Sequence, residues 1–278
     1  MDLSLTAGGL HIEAQWHGPP PDRSPTLVLL HEGLGSAATW KDFPRRLADR
    51  TGNGVLVYSR PGYGQSDPVP IPRPLTYMDE EARGVLPCVL DQAGIRKAIL
   101  VGHSDGASIA TIHAGSVQDF RVRGLVLIAP HFFVEDIGLR SIAAAREAYR
   151  SGTLRDRLSK YHADVDVAFW GWNRAWLDPA FRSWRIDDHL AFIRIPILII
   201  QGRQDEYGTL AQIETAKREC YCPVEVALLD GARHSPQADR PEATLEAIAE
   251  FVARVLAHEG LGPVASATPC SILPHHAK

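Results

Sequence analysis

Gly102-His103-Ser104-Asp105-Gly106 lies between an apolar run at 98–101 and a helix-forming run that begins near residue 107. A G-x-S-x-G sequence in such a setting predicts a sharp strand-to-helix turn. The turn strains the backbone at Ser104 and exposes its hydroxyl at the carboxyl edge of a sheet, where substrates bind. Because so short a motif also arises by chance, the prediction depends on the strand–turn–helix setting.

Apolar runs typical of buried strands alternate with helix-forming segments on both sides of this turn. Repeated strand–helix–strand units imply right-handed crossovers and a mostly parallel sheet, so we predict an α/β fold. A β-hairpin made of 3–6 and 10–15 is predicted to precede these units. The predicted strands are 26–30, 55–58, 98–101, 125–128, 195–200 and 224–229, and the predicted helices are 38–49, 76–92, 107–116, 210–219 and 242–257.

Residues 134–194 interrupt the alternation. They show no strand pattern and are rich in helix formers and aromatic residues. Because strand–helix order resumes after them, we predict a helical insertion into one sheet and not two tandem domains. The predicted core therefore consists of residues 1–133 and 195–257. Residues 258–278 lack periodicity and are predicted to form a flexible tail.

The composition is that of a globular protein. Of 278 residues, 45% are apolar and 22% are charged, which excludes a disordered or fibrous chain. A formal net charge of −4 gives no electrostatic basis for binding nucleic acid or an anionic membrane, and every apolar run is too short to span a bilayer. The amino terminus lacks the basic start and apolar core of a secretory signal. We therefore predict a cytoplasmic monomer or homodimer that acts on a small molecule.

The cysteines predict free thiols in a reducing compartment, because they are few and unevenly spaced. Cys220 and Cys222 are too close in sequence for an easy mutual disulfide. No second CxxC or HxxxH pattern completes a zinc site. No metal is expected.

A serine hydroxyl is a weak nucleophile at neutral pH, so Ser104 needs a base and an orienting acid. His234 directly follows the predicted strand 224–229, and Asp205 directly follows 195–200. The carboxyl ends of parallel strands meet at one edge of a sheet, so these residues are predicted to converge. The alternatives are a solvated loop histidine and a turn-forming aspartate. Glu206 and Asp230 are weaker candidates for the orienting acid.

A glycine-rich loop follows the first buried strand and offers backbone donors for a developing oxyanion. This loop is His31-Glu32-Gly33-Leu34-Gly35-Ser36. We predict that the N–H groups of Gly33 and Asp105 bind the oxyanion. The alternative is a plain strand-to-helix turn. His31 and His103 are predicted to be structural members of their turns.

These segments together resemble the α/β-hydrolase superfamily, in its serine-nucleophile branch with a helical cap. The resemblance covers about residues 9–256 and implies an eight-stranded, mostly parallel sheet with helices on both sides and a cap at 134–194. It also implies a Ser104/Asp205/His234 triad, hydrolysis through an acyl-enzyme and no cofactor. A serine nucleophile disfavours the aspartate-dependent dehalogenases and epoxide hydrolases of this fold. The motifs that carry the resemblance are HEGLGS at 31–36, RPGYGQSD at 60–67, GHSDG at 102–106, GRQDE at 202–206 and GARHSP at 231–236.

Two carboxylates depart from the family pattern. Glu32 stands where the family commonly has glycine, and Asp105 lies beside the nucleophile. One hypothesis is that one of them lines the acyl pocket and favours a substrate with a hydroxyl or amine donor. The alternative is that each bonds the backbone or cap residues.

Aromatic residues are concentrated in the insertion, and a cap over a cleft usually contributes apolar walls. We predict that some of Trp170, Trp172 and Trp176 contact the substrate. The alternative is that the aromatic residues form only the core of the insertion.

The expected activity is cleavage of a small carboxylic ester or lactone. Hydrolysis of a C–C bond in an aromatic meta-cleavage product is the alternative within enzymes. A ligand receptor that carries the same three residues but hardly turns over is the alternative of another class. Steady-state turnover separates the receptor from the enzymes.

Overall fold

Eight strands form one sheet in the computed structural model, which describes residues 1–258. Their order across the sheet is β1-β2-β4-β3-β5-β6-β7-β8. The β1–β2 and β2–β4 pairs are antiparallel and all other pairs are parallel. The strands are β1 (Asp2–Ala7), β2 (Leu10–His17), β3 (Thr26–Leu30), β4 (Gly54–Tyr58), β5 (Ala98–His103), β6 (Val122–Ile128), β7 (Ile197–Gly202) and β8 (Val224–Leu229).

Two apolar layers cover the sheet, which is why its central strands are continuous apolar runs. Side chains alternate along a strand, so Val28 and Leu30 face one layer while Leu27 and Leu29 face the other. All four are fully buried. Parallel strands of this kind end together at one edge, and that edge carries the loops considered below.

Ten α-helices accompany the sheet within residues 1–258. They are α1 (Phe43–Thr51), α2 (Tyr77–Glu80), α3 (Leu86–Gln92), α4 (Asp105–Ser116), α5 (Asp136–Arg150), α6 (Thr153–Leu158), α7 (Val165–Trp176), α8 (Ala211–Glu219), α9 (Pro236–Asp239) and α10 (Pro241–His258). None is long and apolar enough to cross a bilayer. A π-helical turn, Glu81–Val85, joins α2 to α3, so the predicted helix 76–92 is continuous but not regular.

The helical stretch predicted over 38–49 is present, but it is divided into two helices. A 3₁₀ helix at Ala37–Trp40 is followed by α1. Pro44 explains the break, since proline lacks an N–H and is tolerated only in the first turn of a helix.

Between β6 and β7 the chain forms α5, α6 and α7, then 3₁₀ helices at Pro179–Ser183 and Asp187–Phe192. Stacking of Tyr149 on Phe169 joins α5 to α7, with ring centroids 3.7 Å apart. The division of the chain into a core and a cap stays a prediction. The predicted tail lies outside the described residues, apart from the last residue of α10.

Candidate active site

Ser104 occupies a strained turn between β5 and α4. Its φ is +53°, a value that residues other than glycine rarely adopt. Glycines on both sides make the turn possible: a side chain on Gly102 would collide with the backbone of Gly106, and one on Gly106 would collide with that of Leu30. The G-x-S-x-G spacing thus follows from close backbone approach, and the turn leaves the Ser104 side chain at the cavity described below.

Ser104, His234 and Asp205 form a hydrogen-bonded set, here called the Ser104 triplet. Ser104 Oγ lies 2.9 Å from His234 Nε2, and His234 Nδ1 lies 2.9 and 3.0 Å from the two carboxylate oxygens of Asp205. Burial raises the pKa of Asp205, but the hydrogen bond and charge of His234 and the backbone N–H of Tyr207 outweigh it, and the net pKa is lowered. The ionised carboxylate therefore holds Nδ1–H, which leaves Nε2 free to accept the serine proton.

Neither weaker candidate for the orienting acid touches the His234 ring. Glu206 lies 3.3 Å from the backbone nitrogen of His234, and Asp230 pairs with Arg203 at the surface. Asp205 is therefore the carboxylate that the structure brings to the imidazole.

The two predicted oxyanion donors flank the serine in different ways. The Asp105 N–H belongs to the first turn of α4, where helix N–H groups have no intrahelical partner. Gly33 lies beneath the indole of Trp172, and any side chain at residue 33 would collide with that ring. Within residues 1–258, no protein acceptor occupies either N–H. Their convergence on one oxygen stays a prediction.

A cluster of buried charges includes Asp105, the residue after Ser104, and the sequence patterns did not predict it. Arg60 Nη1 donates to both oxygens of Glu81 at 3.2 Å, and Arg73 Nη2 donates to Glu81 at 2.7 Å. Arg60 Nη2 lies 3.8 Å from Asp105 Oδ2. We call these four residues the buried ion cluster. Two cations balance two carboxylates, and every member is less than one-tenth exposed.

The Asp105 side chain is held in place by neutral donors as well. Tyr77 Oη donates to Oδ2 at 2.5 Å, and Trp176 Nε1 donates to Oδ1 at 3.2 Å. Burial raises the pKa of Asp105, while Arg60 and the Tyr77 hydrogen bond oppose that rise. The carboxylate is therefore held by protein donors, of which Trp176 belongs to the insertion while Tyr77 and Arg60 do not.

Glu32 does not line the cavity beside Ser104, whereas Asp105 does, so the hypothesis of an acyl-pocket carboxylate stays a prediction for Asp105 alone. Its carboxylate lies 3.3 Å from His103 Nδ1. Burial raises the pKa of Glu32, but the hydrogen bond and charge of His103 lower it to about 2. His103 Nε2 in turn donates to the His234 carbonyl at 2.8 Å. Glu32 therefore supports the loop that carries the base.

A cavity of about 10 Å³ lies beside Ser104. It is lined by Ser104, Asp105, His131, Glu135, Gly138, Ile142, Trp172, Trp176 and Tyr207. This volume suits about one water molecule. A substrate larger than water therefore needs more space than this cavity offers.

Trp170 does not line this cavity, so its predicted substrate contact is not supported. Trp172 and Trp176 are four residues apart and share one face of α7, whereas Trp170 lies on another face. There its ring packs against Tyr149, and the guanidinium of Arg174 lies 5.2 Å from its centroid. The helical period of 3.6 residues could have predicted that Trp170 lies on a different face of the helix from Trp172 and Trp176.

Five residues that line the cavity were not predicted: Gly138 and Ile142, and the three polar residues His131, Glu135 and Tyr207. Tyr207 packs on His234, with ring centroids 4.5 Å apart. The Glu135 carboxylate accepts hydrogen bonds from Thr209 and Gln212. His131 follows β6 closely, so the strand-end argument that found Asp205 and His234 could also have found it.

The comparisons with known proteins agree with this architecture. A family model described as the alpha/beta hydrolase family matches residues 27–247. The proline iminopeptidase of Lactobacillus helveticus is 23% identical over 219 residues, 65% of this chain and 74% of that one. A solved structure of the proline iminopeptidase of Mycobacterium smegmatis superposes with a TM-score of 0.75 at 17% identity, over 93% of this chain and 100% of that one.

Two further relatives match over shorter stretches. Epoxide hydrolase B of Mycobacterium tuberculosis is 32% identical over 130 residues, 46% of this chain and 35% of that one. The 2-hydroxy-6-oxononadienedioate/2-hydroxy-6-oxononatrienedioate hydrolase of Paraburkholderia phymatum is 32% identical over 161 residues, 55% and 54% of the two chains. The curated relatives thus differ among themselves in the bond they cleave.

Proposed function

The chain belongs to the alpha/beta hydrolase family, and on this premise we propose that it is a serine hydrolase that cleaves a small carboxylic ester or lactone. The observation that carries the proposal is the Ser104 triplet, with consecutive contacts of 2.9 Å from Ser104 Oγ to Nε2 and from Nδ1 to Asp205. This arrangement supplies a nucleophile, a base and an orienting acid in consecutive hydrogen-bond contact.

In the proposed mechanism, Ser104 Oγ attacks the ester carbonyl carbon while His234 Nε2 takes the serine proton. Asp205 stabilises the imidazolium that forms, and the N–H groups of Gly33 and Asp105 bind the oxyanion. The C–O bond then breaks, and His234 gives its proton to the leaving alcohol. Water, deprotonated by His234, attacks the acyl-enzyme and releases the acid, which restores Ser104.

The charges around the cavity disfavour a negatively charged substrate. Asp105 is compensated by Arg60 and by its hydrogen bonds, and Glu135 accepts from Thr209 and Gln212. Among the described residues that line the cavity, none is lysine or arginine. A negatively charged substrate would therefore lose its hydration without gaining an ionic partner.

Hydrolysis of a C–C bond is the second candidate, because of the 32% identity to the Paraburkholderia phymatum hydrolase. The name of that enzyme describes a dicarboxylate. The cationic partner that such a substrate would need is missing from the described cavity lining, which places this candidate second. The identity to a proline iminopeptidase makes cleavage of an amide bond a further candidate.

The test is steady-state hydrolysis of nitrophenyl esters of graded acyl length, with matched nitroanilides and a meta-cleavage dicarboxylate as competing substrate classes. We expect ester turnover with a preference for short acyl chains and loss of that turnover in Ser104→Ala. Ser116→Ala is the matched control, because it removes a serine from the far end of the same helix and should keep the rate. Ester turnover no faster in the folded wild type than in Ser104→Ala would contradict the proposal. Faster cleavage of the dicarboxylate or of the anilides would assign the alternative bond.

A further inference from the structure

His131 presents an imidazole to the cavity that the mechanism above does not use. The residue is only 6% exposed and lines the cavity together with Ser104. Within residues 1–258, neither ring nitrogen has a hydrogen-bond partner in the protein. Buried polar side chains are nearly always paired, so an unpaired imidazole at a cavity points to a ligand.

The surroundings hold the His131 ring in a defined place. Its carbonyl accepts from Ser108 Oγ at 2.7 Å, and the next backbone N–H, that of Phe132, donates to Gln212 Oε1 at 2.8 Å. The ring itself packs edge-on against Trp176, with centroids 5.4 Å apart, and against the backbone of Gly208. The imidazole is thus positioned before any substrate arrives.

His131 lies beside the base of the Ser104 triplet. The ring centroids of His131 and His234 are 5.4 Å apart. In the proposed mechanism His234 delivers its proton to the leaving oxygen, so we assign the side of the cavity beside His234 to the leaving part of the substrate. Trp172, by contrast, covers Gly33 on the side of the predicted oxyanion donor.

The ring is neutral at ordinary pH. Burial is the main cause of a pKa lowered to about 3, and the charges of His234 and His103 add to it while Asp205 opposes it. A neutral imidazole has one N–H donor and one acceptor nitrogen. A hydroxyl group both donates and accepts, so it pairs with whichever nitrogen faces it.

We propose that His131 binds a hydroxyl group on the leaving alcohol, so that the preferred substrates are esters of diols and other hydroxylated alcohols. This inference rests on the proposed ester hydrolysis and adds the substrate class. An ester with a plain alkyl alcohol would bury the imidazole without a partner, and such an unpaired group disfavours binding and turnover. The assignment makes His131 a residue that determines specificity, separate from the triplet.

The experiment compares three butanoate-sized esters by acid release: propyl butanoate, 2-hydroxyethyl butanoate, and propyl 3-hydroxybutanoate, which carries the hydroxyl on the acyl side. We expect the wild type to prefer 2-hydroxyethyl butanoate over propyl butanoate by roughly tenfold in kcat/KM, the size of one net hydrogen bond. The acyl-side hydroxyl should give no such preference. His131→Phe, which keeps an aromatic ring, should lower kcat/KM for 2-hydroxyethyl butanoate about tenfold more than for propyl butanoate and so abolish the preference. His131→Gln, whose amide both donates and accepts, should restore part of it.

Equal losses on all three esters in His131→Phe would overturn the proposal, because they would show that the ring only packs against His234. A wild type without preference would overturn it as well. If the wild type cleaves none of the esters, the proposed function fails, and the proposed role of His131 is then tested by measuring ester binding. Ser104→Ala should bind 2-hydroxyethyl butanoate more tightly than propyl butanoate in calorimetric titration, and Ser104→Ala/His131→Phe should not. Equal binding in Ser104→Ala would reject the role of His131.

Discussion

The Ser104 triplet and the buried ion cluster are neighbouring sets of polar side chains, and they differ in whether a proton can move within them. In the Ser104 triplet, a single imidazole joins the nucleophile to an ionised carboxylate, with hydrogen bonds of ordinary length on both sides. In the buried ion cluster, two guanidinium groups balance two carboxylates, and arginine stays protonated at any working pH. The first arrangement performs acid–base chemistry in our proposal, and the second positions the loops around it.

The two aspartates show the same contrast in more detail. Asp205 accepts from an imidazole that gains and loses a proton during turnover in the proposed mechanism. Asp105 accepts from Tyr77 and Trp176, which do not release protons near neutral pH, and the pKa of Tyr77 is raised well above its usual value by burial and then by Asp105. A carboxylate beside a nucleophile therefore need not take part in proton transfer. Whether it does depends on the groups that donate hydrogen bonds to it.

The largest effect is expected for Asp205→Asn. The amide cannot hold the imidazole in the required tautomer, so kcat for ester hydrolysis should fall by about 10³- to 10⁴-fold with little change in the fold. Glu206→Gln is the matched control, since Glu206 reaches only the backbone of His234, and it should keep kcat within about threefold. If the two variants lose activity equally, Asp205 is not the orienting acid.

Glu81→Gln should damage stability and leave catalysis almost intact. The change leaves Arg60 and Arg73 without their shared carboxylate, and breaking a buried pair costs about 3–5 kcal/mol of unfolding free energy. Denaturant unfolding measures the loss. Asp79→Asn is the control, because its ion pair with Arg83 is exposed and should contribute less than about 1 kcal/mol. A stable Glu81→Gln protein that has lost its activity would move the cluster into the catalytic machinery.

His131→Phe should make the protein less sensitive to acid. The pKa of His131 is about 3 in the folded protein and near 6.5 when unfolded, so between these values only the unfolded chain binds the proton. The unfolding free energy of the wild type therefore falls as the pH drops below 6.5. Between pH 7 and 4.5 the wild type should lose about 2.5 kcal/mol more than His131→Phe. Parallel stability curves for the two proteins would mean that His131 titrates normally.

The smallest effect is expected for Trp170→Ala. Trp170 packs outside the cavity, so kcat/KM for every nitrophenyl ester should stay within about twofold of the wild type. Trp172→Ala enlarges the closed cavity and should shift the preferred acyl chain to greater length. The pair of acyl-length profiles tests the placement of the two rings, and identical profiles for both variants would contradict it.

The fold and the Ser104 triplet were predictable because they depend on local rules. Glycine is required at 102 and 106 because the backbone passes too close to neighbouring backbone for a side chain there. Asp205 and His234 directly follow predicted strands. The family model and the solved structures confirm the predicted α/β-hydrolase fold and its eight-stranded sheet. The same strand-end rule reaches His131, and the 3.6-residue period excludes Trp170.

The buried ion cluster was not predictable in this way. Its members come from a loop after β4, a segment before α2, a π-helical turn and the start of α4, which only the tertiary fold brings together. The orientation of Glu32 toward His103 depends on the same kind of non-local packing. Sequence patterns located the residues that follow strands. The ion pairs among the charged residues near Ser104 became visible only in the folded structure.

Trapping the acyl-enzyme tests the central claim most directly. The wild type is mixed with a short-chain nitrophenyl ester, quenched in acid within milliseconds and analysed by intact-mass and peptide mass spectrometry. The account predicts a mass increase of one acyl group on the peptide that contains Ser104, formed together with a burst of nitrophenolate and missing in Ser104→Ala. Steady turnover in the wild type with an acyl group on another residue would contradict it.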